Sequence, residues 1–119
     1  MGKVGSLLIL IILFSTPCYA WNKNDTYREV AWQTIHIIDW GQTLDIARNP
    51  DSYHEFNLIL GRHPSVGRVN TYMVLSSVGH VTISVLLPDK VRKYWQWITI
   101  GTLGACVVNN FSIGLKVRF

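Results

Sequence analysis

From Asn70 to Leu87 the chain reads NTYMVLSSVGHVTISVLL, with no aspartate, glutamate, lysine or arginine, and Pro88 closes it. About 18 residues wound as a helix at about 1.5 Å each are nearly as long as the hydrocarbon layer of a bilayer is thick. Arg68 on one side and Lys90, Arg92 and Lys93 on the other are placed to anchor both ends at the interfaces. This run is the chain's best candidate for a membrane span. Its polar residues Ser76, Ser77, His80 and Ser84 recur at helical spacing, and Gly79 is small enough to admit a neighbouring helix.

The rest of the composition suits that reading. Of 119 residues, 49% are hydrophobic and only 15% charged, and the length allows one compact unit. The net charge of +4 comes from scattered basic residues, of which only Lys90, Arg92 and Lys93 cluster, and the aromatics sit in apolar runs. A nucleic-acid interface needs a concentrated basic face, so no nucleic-acid partner is expected.

The N-terminus, MGKVGSLLILIILFSTPCYAWN, has the layout of a secretory signal: Lys3, an apolar run from Leu7 to Phe14, Pro17, and Ala20 before Trp21. The apolar run alone is too short to span. Residues 1–20 are therefore expected to be a signal peptide cleaved after Ala20, or else an N-terminal anchor, and residues 21–119 a single helical membrane domain. Cleavage would remove Cys18 and leave Cys106 without a partner for an internal disulfide. In GTLGACVV, Cys106 reads as a small buried hydrophobe with no basic neighbour to activate it.

Two further helices are expected. In VAWQTIHIIDWGQTLDIARNP, Asp25 or Thr26 caps the start, Glu29 falls in the first turn, and Asn49 and Pro50 stop the helix. Between Val30 and Ala47, Gln33, His36, Asp39, Gln42 and Thr43 form a polar stripe on an otherwise apolar helix that would span or lie at the surface. The stretch from Trp95 to Val108, following Tyr94, is short for a span unless it continues through Asn109 and Asn110. Its Gly101 and Ala105, with Gly104, make a thin surface for helix packing.

In the tail, Phe111, Ile113, Leu115, Val117 and Phe119 alternate with smaller or charged residues, which is a strand pattern. Together with an export signal it raises an alternative, a small outer-membrane β-barrel. A barrel needs at least eight strands of about 9 to 11 residues, which nearly exhausts the chain, and the helical stripe opposes it. The expected fold is an all-α membrane protein with two or three spanning or re-entrant helices. Basic residues divide evenly between the two sides, so orientation rests on the exported N-terminus, which puts the 48–68 loop in the cytoplasm.

Asp39 and His80 are costly to place in a membrane unless they find partners or water, which makes them candidates for function. With Glu55 and His63 from the loop, and Gln42, Thr43 and Asn57 nearby, they form a candidate polar cluster. A carboxylate–imidazole pairing there would hold a divalent metal or relay protons. The plain alternative is structural: Asp39 held within its stripe, His80 bonded to Ser76 or Ser84, and the loop histidines solvated. No HExxH, CxxC or GxSxG motif is present, and Gly61 and Gly67 lack phosphate-loop spacing, so neither an enzyme nor a resident cofactor is expected on motif grounds.

Over about residues 33–115, DWGQT, EFNLILGRHPS and VNTYMVLSSVGH, in that order, resemble small membrane proteins of tailed phages and prophages. Their pattern, Asp-x-x-Gln-Thr followed by Glu-x-Asn-Pro-x-Leu-Gly-x-His-Pro, is met by Asp39, Gln42, Thr43, Glu55, Asn57, Leu60, Gly61, His63 and Pro64. Leu58 stands where that pattern has proline. The resemblance implies a bacterial or phage membrane location and no particular activity. On this reading the protein enters the bacterial inner membrane through the secretory pathway. There it binds or modulates another membrane protein, or its own copies, through Gly79 and the Gly101/Gly104/Ala105 surface. A membrane-embedded metal or proton site in an enzyme or transporter component, and a lysis or pore-forming role, are the alternatives.

Overall fold

The computed structural model describes residues 20–119; the signal-peptide expectation and Cys18 fall outside them. Three helices follow one another: α1 (Lys23–Arg48), α2 (Val66–Leu86) and α3 (Asp89–Ser112). Among the described residues there is no strand. The all-α expectation holds, and the β-barrel alternative is overturned. Of the three, α2 is long and apolar enough to cross a membrane.

Helix α1 starts earlier than the sequence suggests. Asn22, not Asp25 or Thr26, is the N-cap: its side chain accepts from the Asp25 backbone N–H, while the Asp25 carboxylate accepts from the Asn22 N–H. This capping box satisfies two end groups reciprocally and adds a turn that carries Asp25 and Glu29 inside the helix. Asn49 caps the other end, as expected. Ser65 caps α2 by accepting from the Arg68 N–H. Pro88 precedes α3, where a missing N–H costs nothing. Helix α3 runs through Asn109 and Asn110 to Ser112, longer than the Trp95–Val108 stretch.

The tail is not a strand. Phe111 and Ser112 belong to α3, and Leu115–Phe119 lies extended along α1 with a single backbone bond, from Arg118 N to Gly41 O. The Lys116 N–H donates to Asp45, Arg48 donates to the Arg118 carbonyl, and Leu115 is buried. Gly41 makes this approach possible, since a Cβ there would run into Val117, Phe119 and the Arg118 backbone. The alternation signals one buried edge of an extended segment, with a helix rather than a sheet beneath it.

Helix α1 is the hub. Its residues 29, 33 and 36 meet residues 80, 77 and 73 of α2, an antiparallel register. Its residues 25 and 42 meet residues 96 and 107 of α3, a parallel one. Helices α2 and α3 contact each other little: they touch beside the Leu87–Pro88 turn, through Ser84 with Trp95 and His80 with Thr99, and then diverge. An apolar core of Leu44, Leu60, Val69 and Met73 closes the end of the α1–α2 pair near the 49–65 loop. Elsewhere Trp32, Ile46, Val107 and Leu115 are also buried, but most of the interior is polar: Asp25, Glu29, His36, Gln42, His80, Ser84, Arg92 and Gln96 are all buried.

Candidate functional site

Two polar sites occupy the bundle, one at each end. The first grows from the capped start of α1. Spacing of four, then three and four, puts Asp25, Glu29, Trp32 and His36 on the face that α2 and α3 cover. Arg92, fully buried, donates from Nε to the Ser84 carbonyl at 2.6 Å, from Nη2 to Leu87 O at 2.9 Å, and from Nη1 to Asp25 at 2.8 Å, Ala20 O at 2.9 Å and Asp89 at 3.1 Å. Its guanidinium also lies over the Trp21 ring. The side chain thus binds the α2–α3 turn to the start of α1.

One turn further in, Glu29 faces four donor groups, of which the Ser84 hydroxyl shares its single proton with the His80 carbonyl at 2.8 Å. His80 Nδ1 reaches it at 2.8 Å, Gln33 Nε2 at 3.0 Å, Ser84 Oγ at 3.0 Å and Gln96 Nε2 at 3.3 Å. Three N–H donors and the shared hydroxyl compensate the buried carboxylate. The opposite ring nitrogen of His80 lies 2.8 Å from Thr99 Oγ1. The Thr99 hydroxyl has a second partner in the Trp95 carbonyl at 2.8 Å. If Thr99 donates to the imidazole, His80 is neutral; if it donates to the carbonyl, it can accept from a doubly protonated ring. The rings of His36, Trp32, His80 and Trp95 form a continuous stack, with centroids 4.6, 3.7 and 5.0 Å apart.

The second site lies where α2 and α3 diverge. A cleft of about 450 Å³ opens there, floored by Trp32, His36, Asp39 and Thr43 of α1, walled by Met73 and Ser76 on one side and Thr102, Leu103 and Cys106 on the other, and bordered by residues 55–57 of the loop. Asp39 has weak partners: Asn110 Nδ2 at 3.4 Å and Cys106 Sγ at 4.0 Å. Gln42, buried beside the cleft, donates to Val107 O and accepts from Asn110. Thr43 returns its hydroxyl to the Asp39 carbonyl.

The loop motif proves to be a folding unit. The Glu55 carboxylate accepts from the Phe56 and Asn57 N–H groups, Asn57 accepts from Ile59 N and donates to Tyr72, and Gly61 N closes on Asn57 O with φ +82°. Leu60 drops into the apolar core. Leu58, 97% exposed, occupies the turn without proline.

The cluster expected from the sequence is therefore divided. Asp39, Thr43, Glu55 and Asn57 share the cleft and Gln42 borders it, whereas His80 belongs to the Glu29 site and His63 is exposed. His54 is exposed too, edge-on to Phe56. Among the described residues no group of three or more His, Cys, Asp or Glu is placed to hold a metal ion. Cys106 is exposed along the cleft, not buried. Gly79, Gly101 and Gly104 have no neighbour where a Cβ would stand, so these small-residue surfaces face away from the described bundle.

Sequence reading missed Asp25, Glu29, Arg92 and Gln96. Arg92 looked like an interfacial anchor because it sits between two lysines. The available signal was the spacing Asp25, Glu29, Gln33, His36, which continues the polar stripe past the supposed cap. Comparison of the chain with family models, with curated proteins and with solved structures gives no match.

Proposed function

We propose that the protein is a small integral membrane protein of the bacterial envelope, phage- or prophage-encoded, that works by binding or modulating another membrane protein. The observation that carries this reading is the inverted distribution of polarity. Asp25, Glu29, His36, His80, Arg92 and Gln96 are inside, while Val74, Leu75, Val78, Ile83, Trp97, Ile98 and Val108 are outside. A water-soluble bundle has the reverse arrangement, and an exposed apolar exterior of this kind calls for lipid or protein. The outward Gly79 and Gly101/Gly104/Ala105 surfaces supply close-approach faces for a partner helix or a second copy. Alkaline carbonate extraction should leave the protein in the membrane fraction, and mild crosslinking before detergent solubilisation should capture a partner or an oligomer. Release by carbonate, or a strictly monomeric protein with no membrane partner, would refute the reading.

A second reading, a membrane-embedded proton site, is favoured by the two proton arrangements open to His80 and Thr99 beside the Glu29 carboxylate. It predicts that Glu29→Gln and Thr99→Val leave the helices intact and change proton flux in reconstituted vesicles. Unchanged flux in both variants would remove it.

A further inference from the structure

We infer that the tip of the 49–65 loop is an interfacial anchor, seating Phe56, Leu58 and Ile59 in a bilayer leaflet that bears anionic headgroups. The inference rests on the proposed membrane location and deepens it, by giving this connection between α1 and α2 a lipid contact of its own.

The first indication is the side chains. Phe56 is 80% exposed, Leu58 97% and Ile59 69%, three large apolar groups within four residues. The loop gives Leu60 to the apolar core and turns these three outward. An apolar cluster left uncovered in this way is costly in water. The tip is also held firmly: Asn57 Nδ2 donates to the Tyr72 hydroxyl at 2.8 Å, and Arg68 Nη2 donates to the Ile59 carbonyl at 2.8 Å.

The backbone supplies a second, independent indication. Irregular chain meets lipid at a high cost unless its N–H groups are paired within the protein. Of the seven N–H groups from Glu55 to Gly61, those of residues 55, 56, 57, 59 and 61 are paired inside the loop. Glu55 N donates to the Arg62 carbonyl at 2.8 Å, Phe56 and Asn57 to the Glu55 carboxylate at 3.0 and 3.1 Å, Ile59 to the Asn57 side chain at 2.9 Å, and Gly61 to the Asn57 carbonyl at 3.0 Å. Glu55 and Asn57 thus do for this backbone what water does for an ordinary surface loop.

Placement and charge identify the surface that the tip meets. Ile59 lies beside Arg68, Thr71, Tyr72 and Leu75, so the tip stands alongside the first turns of α2, the helix able to cross a membrane, where Arg68 marks the interface. Arg62, His63 and Arg68 are exposed, and none forms an ion pair among the described residues. Of the loop's carboxylates, Asp51 and Glu55, the second is engaged by the loop's own N–H groups. An apolar tip with a cationic rim matches a leaflet of anionic phospholipid, whose headgroups pair with the rim while the side chains reach about 5 to 10 Å into the acyl boundary.

The test uses the full chain with Cys18 and Cys106 replaced by serine, nitroxide-labelled at Leu58→Cys, at Phe56→Cys or, as the polar control in the same loop, at Asp51→Cys. The protein is reconstituted in vesicles of phosphatidylethanolamine with phosphatidylglycerol, and collisions of the label with oxygen and with a water-soluble nickel chelate are measured. Labels at 56 and 58 should lose nickel collisions and gain oxygen collisions relative to the label at 51, and should shift toward water in vesicles of phosphatidylcholine alone. Nickel access at 58 equal to that at 51, or loss of both collision partners, which signals a covering protein, overturns the anchor. Equal depth in the two kinds of vesicle overturns the role of anionic headgroups. Flotation of the same samples separates the two levels of the argument: protein that fails to float with the vesicles refutes the membrane location and the anchor together, whereas floating protein with a wet label at 58 refutes the anchor alone.

Discussion

Replacing Arg92 by methionine should destabilise the bundle more than any other single change to its polar interior. The guanidinium is fully buried and satisfies the carbonyls of Ala20, Ser84 and Leu87 as well as the carboxylates of Asp25 and Asp89. Methionine keeps most of the volume, so the loss is electrostatic. Breaking a buried ion pair by removing one partner costs about 3 to 5 kcal/mol, because the other charge stays behind. Asp25 keeps Arg28 as a partner, which moderates that part, while the orphaned backbone carbonyls add to it. A net loss of about 3 kcal/mol is expected, a large share of the roughly 5 to 15 kcal/mol that holds a typical domain together. Reversible unfolding of the detergent-solubilised protein, followed by far-ultraviolet circular dichroism, measures it. Arg92→Lys should fall between the two, since an ammonium cannot reproduce the planar fork. The double variant Asp25→Asn/Arg92→Met should recover part of the loss. An Arg92→Met protein within about 0.5 kcal/mol of the parent would refute the idea that this side chain locks the bundle.

Acid should act through Asp25, which lies in the first turn of α1, outside the Val30–Ala47 stretch read as spanning. Burial raises its pKa, but the Asn22 backbone N–H and the Arg92 and Arg28 guanidinia outweigh burial and hold it below the ordinary 3.8. The folded pKa is depressed, so the stabilisation is present above 3.8 and lost as pH falls through the lower folded value; unfolding midpoints should drop there, and Asp25→Asn should flatten the response. Gly41→Ala should push Val117 and Phe119 off α1, costing about 1 to 3 kcal/mol and exposing the tail to carboxypeptidase; a tail as resistant as the parent's would contradict the close approach. At Gly61 a Cβ meets nothing, but φ is +82°, so Gly61→Ala should cost only about 1 kcal/mol in thermal melts, and Gly61→Asn less.

Much of the helical layout was legible in the chain. The uncharged run around residues 70–87 became α2, Asn49 ended α1, and the stripe of Gln33, His36, Asp39, Gln42 and Thr43 faced inward or toward the cleft. The site was half legible. Asp39, Thr43, Glu55 and Asn57 line one cleft because the loop returns over the α1 face. His80 went elsewhere, since an antiparallel register pairs residue 80 with residue 29 and not with residue 39, and register depends on cap position and loop length together. The tail misled because a period of two describes any extended segment with one covered side, whatever covers it.

The partners of Asp25 and Glu29 come late in the chain. Arg92 is 67 residues downstream of Asp25, and His80 is 51 downstream of Glu29. Within α1 Asp25 has Arg28 as a cationic partner and Glu29 has none, and α2 delivers His80 before α3 delivers Arg92. With α2 and α3 gripping each other only weakly, each depends on α1 for most of its packing. The polar interior is thus completed in chain order, Glu29 by His80 of α2 and Asp25 by Arg92 of α3, and a chain cut short before α3 leaves the start of α1 without its deepest cation.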